Sequence, residues 1–144
     1  MRKCAALALL TTLALAGSAQ AAEFTINMVN KDAAGLAMQF EPAFLKIAPG
    51  DVVHFVALDK GHDTESILVP DGAEGWTGKI SQNLDVTFSV AGLYVFKCAP
   101  HYPMGMVGLI EVGDAPANVG AVKALQMPGK PTARITDLLA NAGL

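Results

Sequence analysis

The sequence predicts a mainly β chain, a β-sandwich closed by two short C-terminal helices, and three observations carry that prediction. Short runs rich in β-branched and aromatic residues recur between residues 23 and 112. Turn residues separate them, notably Pro49-Gly50-Asp51 and Ala91-Gly92. Beyond Gly113 the apolar spacing becomes helical.

Taken in order, residues 23–29 place Phe24, Ile26 and Met28 on one side, the period of a half-buried strand. DVVHFVA at 51–57, LDVTFSV at 84–90, LYVFK at 93–97 and VGLIEV at 107–112 read as further strands. Residues 116–125 predict a short helix capped near Asp114, and Pro128-Gly129 ends it. A second helix over 131–142 follows, with Ile135, Leu138 and Leu139 at helical spacing. No internal repeat and no flexible linker is visible.

Residues 1–21 read as a secretory signal. Met1-Arg2-Lys3 is a basic start, Ala5 to Ala16 is apolar apart from two threonines, and Ala19-Gln20-Ala21 supplies small residues for cleavage. That apolar stretch is about 12 residues, short of the roughly 20 needed to span a bilayer. Cys4 precedes the run, which makes it a poor lipidation site, and it is expected to leave with the signal. Residues 22–144 then form one domain of ordinary size. Without Arg2 and Lys3, 8 basic residues face 13 acidic ones and the formal charge is −5. That balance, with no long basic run, argues against nucleic-acid and membrane-surface binding.

Cleavage leaves Cys98 as the one cysteine, and a lone thiol sent to an oxidising compartment forms no internal disulfide. Its neighbours explain it. Cys98, His101 and Met106 stand in the spacing C-x2-H-x4-M directly after a strand, and His62 lies 36 residues upstream. A thiolate, two imidazoles and a thioether suit a His2Cys copper site with a weak axial sulfur. Each residue alone has a plainer reading. A cysteine at a strand end is ordinarily a small buried hydrophobe, a methionine is ordinarily gap-filling core, and Met104 competes with Met106 for the axial place. His62 alone is a loop residue, His54 lies within a strand and faces solvent or a partner, and Trp76 is packing.

Set between two strands, the motif gives the chain a resemblance to the pseudoazurins, a family of type I blue copper proteins. Asn30-Lys31, Phe40-Glu41-Pro42-Ala43, Pro49-Gly50-Asp51, Asp59-Lys60-Gly61-His62, Glu65-Ser66-Ile67, Pro100-His101-Tyr102, Met104-Gly105-Met106 and Val112-Gly113-Asp114 carry it, over nearly all of residues 22–144. The resemblance implies a cupredoxin-like Greek-key sandwich holding one copper ion on His62, Cys98, His101 and Met106. It implies a soluble periplasmic one-electron carrier, not an enzyme, monomeric and without a membrane anchor. Its expected partners are redox proteins such as a copper nitrite reductase or a c-type or cd1-type cytochrome. It further implies a docking face with Met38, Pro100, Pro103 and Met104 as an apolar patch around His101, and with Lys31, Lys60, Lys79 and Lys97 as a basic ring.

The chain departs from the family pattern at Asp63, where relatives resemble one another in having Asn, and at Ala99, where threonine is common. Gly75 and Thr77 stand where relatives often carry lysine, which predicts a weaker basic ring. Two other classes fit parts of the donor set. A copper-delivery or storage protein would use the same ligands in an exposed Cu(I) site, and a thiol hydrolase or zinc enzyme would pair Cys98 with a histidine but has no use for Met106.

Overall fold

The computed structural model describes residues 20–144, so Cys4 and nearly all of the expected signal at 1–21 lie outside the described residues. Among the described residues the strands are β1 (Glu23–Lys31), β2 (Ala37–Glu41), β3 (Phe44–Ile47), β4 (Asp51–Val56), β5 (Glu65–Leu68), β6 (Leu84–Phe88), β7 (Gly92–Lys97) and β8 (Val107–Val112). They form two four-stranded sheets, ordered β2-β1-β4-β6 and β3-β8-β7-β5. β1 runs parallel to β4, and β3 runs parallel to β8. Two helices follow, α1 (Val119–Lys123) and α2 (Gly129–Asn141). The predicted mainly β sandwich with two C-terminal helices is thus the fold observed.

The two sheets differ in sequence texture for a physical reason. β4 alternates strictly, with Asp51, Val53 and Phe55 buried and the residues between them half-exposed, because its outer face meets water. In β8 every residue is buried. Ile110 and Val112 face the core between the sheets, whereas Val107 and Leu109 face a second core built with Val122, Ile135, Leu138 and Leu139 of the helices. β7 is divided the same way, with Tyr94 and Phe96 on one side and Leu93 and Val95 on the other. Helices covering that sheet therefore account for the continuous apolar runs LYVF and VGLI.

α1 is shorter than the expected 116–125, and Asn118 rather than Asp114 precedes it. The Asn118 side chain is engaged elsewhere: its Oδ1 accepts from Leu93 N at 2.8 Å and its Nδ2 donates to Leu93 O at 2.9 Å, which ties the helix to β7. Asp51 performs a similar task, its carboxylate accepting from Ala22 N and Ala48 N, both at 2.8 Å. The Pro49-Gly50-Asp51 turn thereby fastens the start of β1 to the end of β3.

Beneath the ligand-bearing end of the sandwich lies an aromatic layer. Phe96 meets Phe40 edge-on at 4.7 Å between ring centroids and Phe55 at 5.3 Å, and Trp76 closes on Phe55 and Phe88. Trp76 is packing, as expected. Gly108 pairs with Phe96 across β7 and β8, and a Cβ there would lie 2.2 Å from Phe96 Cζ. Since Phe96 is wholly buried and held by two other rings, it has nowhere to go. Gly108→Ala is expected to destabilise the fold by about 1–3 kcal/mol, the usual cost of overpacking. The thermal midpoint of the copper-free protein, followed by circular dichroism, should fall by several degrees, and an unchanged midpoint would show that the ring has room.

Candidate metal centre

Three segments meet at one end of the sandwich. β1 delivers Asn30, the loop after β4 delivers His62 and Asp63, and the connection from β7 to β8 delivers Cys98, His101 and Met106. That last loop is held tightly. Cys98 N donates to Met106 O at 3.0 Å, Met106 N donates to His101 O at 3.3 Å, and Gly105 closes the 3-10 turn at Tyr102–Met104 with φ +94°, a left-handed conformation that glycine adopts without strain. The start of α2 braces it from outside, since a Cβ on Gly105 would sit 3.4 Å from Lys130 Cβ.

Cys98 Sγ lies 3.4 Å from His101 Nδ1 and 3.7 Å from His62 Nδ1, and the ligand atoms of all three residues fall within 4.8 Å of one another. Cys98 and His62 are fully buried, and His101 reaches partway to solvent. Met106 is also fully buried and packs in the same core as Cys98, whereas Met104 is 49% exposed.

The orientation of His62 has a visible cause. Its Nε2 lies 3.0 Å from Asn30 Oδ1, an acceptor, so the proton belongs on Nε2 and the lone pair on Nδ1 points at the sulfur. Asn30 stands in one of the segments that carry the family resemblance, but nothing in its sequence context assigns it this role. Burial pushes the Cys98 thiol up, partly opposed by backbone N–H groups of Asp63 and His101 that point at the sulfur. Pro100, directly before His101, has no N–H to offer. Burial, and then the neighbouring His101, push His62 down. Without metal, both effects favour a neutral thiol and a neutral imidazole, so metal uptake releases the thiol proton.

Asp63, where relatives have Asn, is tied to the cysteine loop. Its Oδ1 accepts from Ala99 N at 2.6 Å, and it is itself buried. The backbone of residue 99 supplies the donor, so the loss of a threonine side chain there does not remove the bond. His54 is remote in the hydrogen-bond pattern, lying 2.8 Å from Asp85 and 3.5 Å from Glu23, and Asp85 raises its pKa.

The residues expected to form a docking face fare unequally. Pro100, Pro103 and Met104 are exposed, as are Lys31, Lys60 and Lys79, while Met38 is half-buried against the core with φ +53°. Lys97 is partly withdrawn. Its Nζ lies 3.6 Å from Glu65 Oε2 and 5.2 Å from the centre of the Tyr102 ring.

Two buried or half-buried imidazoles, a buried thiol and a buried thioether at the end of a β-sandwich fit copper by the softness of their donors. Such a fold and site define a small copper-binding redox protein. Residues 26–113 match the family of copper binding proteins of the plastocyanin/azurin type. The pseudoazurin of Paracoccus pantotrophus is 47% identical over 131 residues, covering 90% of each chain. A solved pseudoazurin from a Sinorhizobium is 47% identical with a TM-score of 0.80, over 83% of this chain and 95% of that one. The refined pseudoazurin of Methylobacterium extorquens AM1 is 40% identical with a TM-score of 0.79, over 83% and 98%. The chain belongs to the pseudoazurins, within the plastocyanin/azurin family. It is a blue copper electron carrier with one copper per chain, it works with redox protein partners, and it is not an enzyme.

Proposed function

We propose that this chain is a soluble periplasmic carrier that receives and donates single electrons through copper held by His62, Cys98, His101 and Met106, with a copper nitrite reductase or a c-type or cd1-type cytochrome as partner. The single observation that carries the ligand set is that both Nδ1 atoms face the Cys98 sulfur while the outer nitrogen of His62 is occupied by Asn30. Burial favours Met106 over Met104 as the fourth donor. Copper bound there supplies a one-electron couple whose two states are both tolerated by this mixture of soft sulfur and imidazole. The protein's own share is to hold the donors in place before the electron arrives, through Asn30 on His62, Asp63 on Ala99 and the main-chain pair joining Cys98, Met106 and His101. A loop braced this way has little room to rearrange, which suits rapid exchange.

Features of the chain outside the site support this reading. The basic, apolar and small-residue order of residues 1–21 supports export. Among the described residues no helix is long and apolar enough to cross a membrane. A monomer with a small docking face suits a carrier that must leave its partner after each transfer.

The test is the absorption spectrum of the protein recovered from the periplasm of an expressing bacterium and loaded with Cu(II). An intense visible thiolate-to-copper band, reversibly bleached by ascorbate with uptake of one electron per copper, is the expected result. Weak colour with readily lost Cu(I) would replace the carrier with a copper-delivery protein. Retention of the full-length precursor in the cytoplasm would overturn the location.

A further inference from the structure

One side of the expected docking face is already engaged, and the other is open. Lys97 is shared between Glu65 and the Tyr102 ring, so its charge is partly met before any partner arrives. Lys60 and Lys79 form no ion pair among the described residues, and both are exposed. Each stands within two residues of a large apolar side chain that faces water: Leu58, 64% exposed, and Ile80, 57% exposed. Burying such groups is favourable wherever a partner supplies apolar surface.

These two loops form one unit, fixed to the ligand region. Gly61 N donates to Ser81 Oγ at 2.9 Å, Ser81 N donates to His62 O at 2.7 Å, and Ala57 N donates to Asn83 Oδ1 at 3.0 Å. Ser81 pays for this with φ +61°, a left-handed backbone that non-glycine residues seldom adopt. Neither nearby carboxylate forms an ion pair with these lysines. Asp59 accepts from Asn30 N at 2.7 Å and Asp63 is buried on Ala99 N.

Resting on the carrier reading above, we infer that the redox partner docks off-centre, on a pad of Leu58, Lys60, Lys79 and Ile80 beside the His62 loop, and not on the Lys97 side of His101. The occupant is a protein whose electron-transfer face has an apolar centre rimmed by carboxylates. Apolar contact flanked by unpaired lysines matches that chemistry, and the exposed lysines steer the encounter. The pad leads directly to the ligands, because Ser81 is bonded to the His62 carbonyl and the His62 and His101 rings are 4.7 Å apart. Glu65 sets the asymmetry by holding Lys97 back.

The experiment measures the second-order rate of electron transfer from the reduced, copper-loaded protein to a c-type cytochrome of net negative charge, by stopped flow at about 10 mM ionic strength. Ile80→Asp and Leu58→Asp should each slow transfer roughly tenfold, and Lys60→Gln or Lys79→Gln severalfold. Lys97→Gln and the α1 control Lys123→Gln should stay within about twofold of the parent. Glu65→Gln should accelerate transfer by freeing Lys97. Every variant is first required to show the parental blue band and potential, so that damage to the site is recognised. A Lys97→Gln loss as large as that of Lys79→Gln, or insensitivity to Ile80→Asp and Leu58→Asp, overturns the docking inference. So does an Ile80-dependent dimer in sedimentation equilibrium, which would assign the pad to a second copy of the chain. Absence of the blue band or of any transfer in the parent protein instead defeats the carrier reading.

Discussion

Cys98→Ser is expected to abolish the visible band of the Cu(II)-loaded protein outright. The band requires a covalent copper-thiolate bond, and a hydroxyl is neither soft enough nor acidic enough to replace it. The surrounding geometry predicts that the loss is chemical and not a collapse of the fold. Serine is close to isosteric, and the main-chain bond from residue 98 to Met106 O does not involve the side chain. Circular dichroism of the copper-free variant should therefore match the parent, apart from about 1–3 kcal/mol for a hydroxyl buried at a site that is fully shielded from water. The two methionines give the same argument a finer edge. Met106→Ala should shift both spectrum and potential, whereas Met104→Ala, at a half-exposed position, should leave the spectrum nearly intact. Greater disruption by Met104→Ala would show that the axial assignment is wrong.

Much of this site is legible in one loop. Cys98, His101 and Met106 fall within nine residues, and the chemistry of that donor set is apparent before any fold is known. His62 is different, because only the pairing of the strands brings residues 36 positions apart to 3.7 Å. Asn30 is less legible still. An asparagine at the end of a strand reads as a turn residue, and its bond to His62 exists because β1 runs beside β4 in parallel. The same division holds for the fold. β1, β4, β6, β7 and β8 are visible as alternation or as apolar runs, for the reason that one sheet is buried on one face and the other on both. β2, β3 and β5 give no such signal. β2 and β3 are four or five residues long and separated by Pro42, while β5 is half-buried throughout and slips register between Ser66 and Leu68. Leu58 and Ile80 belong to loops, where no period distinguishes an exposed apolar residue from a buried one.

Asp63→Asn is expected to raise the reduction potential. The parent carboxylate accepts the Ala99 N–H at 2.6 Å, and asparagine preserves that bond through its carbonyl oxygen, so the loop should keep its shape. What changes is charge. A negative group in the residue after His62 favours Cu(II) over Cu(I), and removing it shifts the balance toward the reduced ion. Two unit charges interact by roughly 4 kcal/mol at about 4 Å and an effective dielectric constant of about 20, and by less at the larger separation of a group that is not itself a ligand. A one-electron couple moves about 59 mV for each tenfold, or roughly 1.4 kcal/mol, so the shift should lie between some tens of millivolts and about 100 mV. The asparagine amide adds a donor pair where the carboxylate had none, and if it turned toward the sulfur it would raise the potential further by stabilising the electron-rich thiolate less in the oxidised state. Voltammetry of the copper-loaded variant with its blue band preserved reads the effect directly. An unchanged or lowered potential would mean that the charge at residue 63 is already neutralised in the folded protein, and the electrostatic account of this substitution would fail. Asp63→Ala separates the two contributions: it removes the same charge but also leaves the Ala99 N–H without its partner, so its potential should rise while the protein loses stability that Asp63→Asn retains.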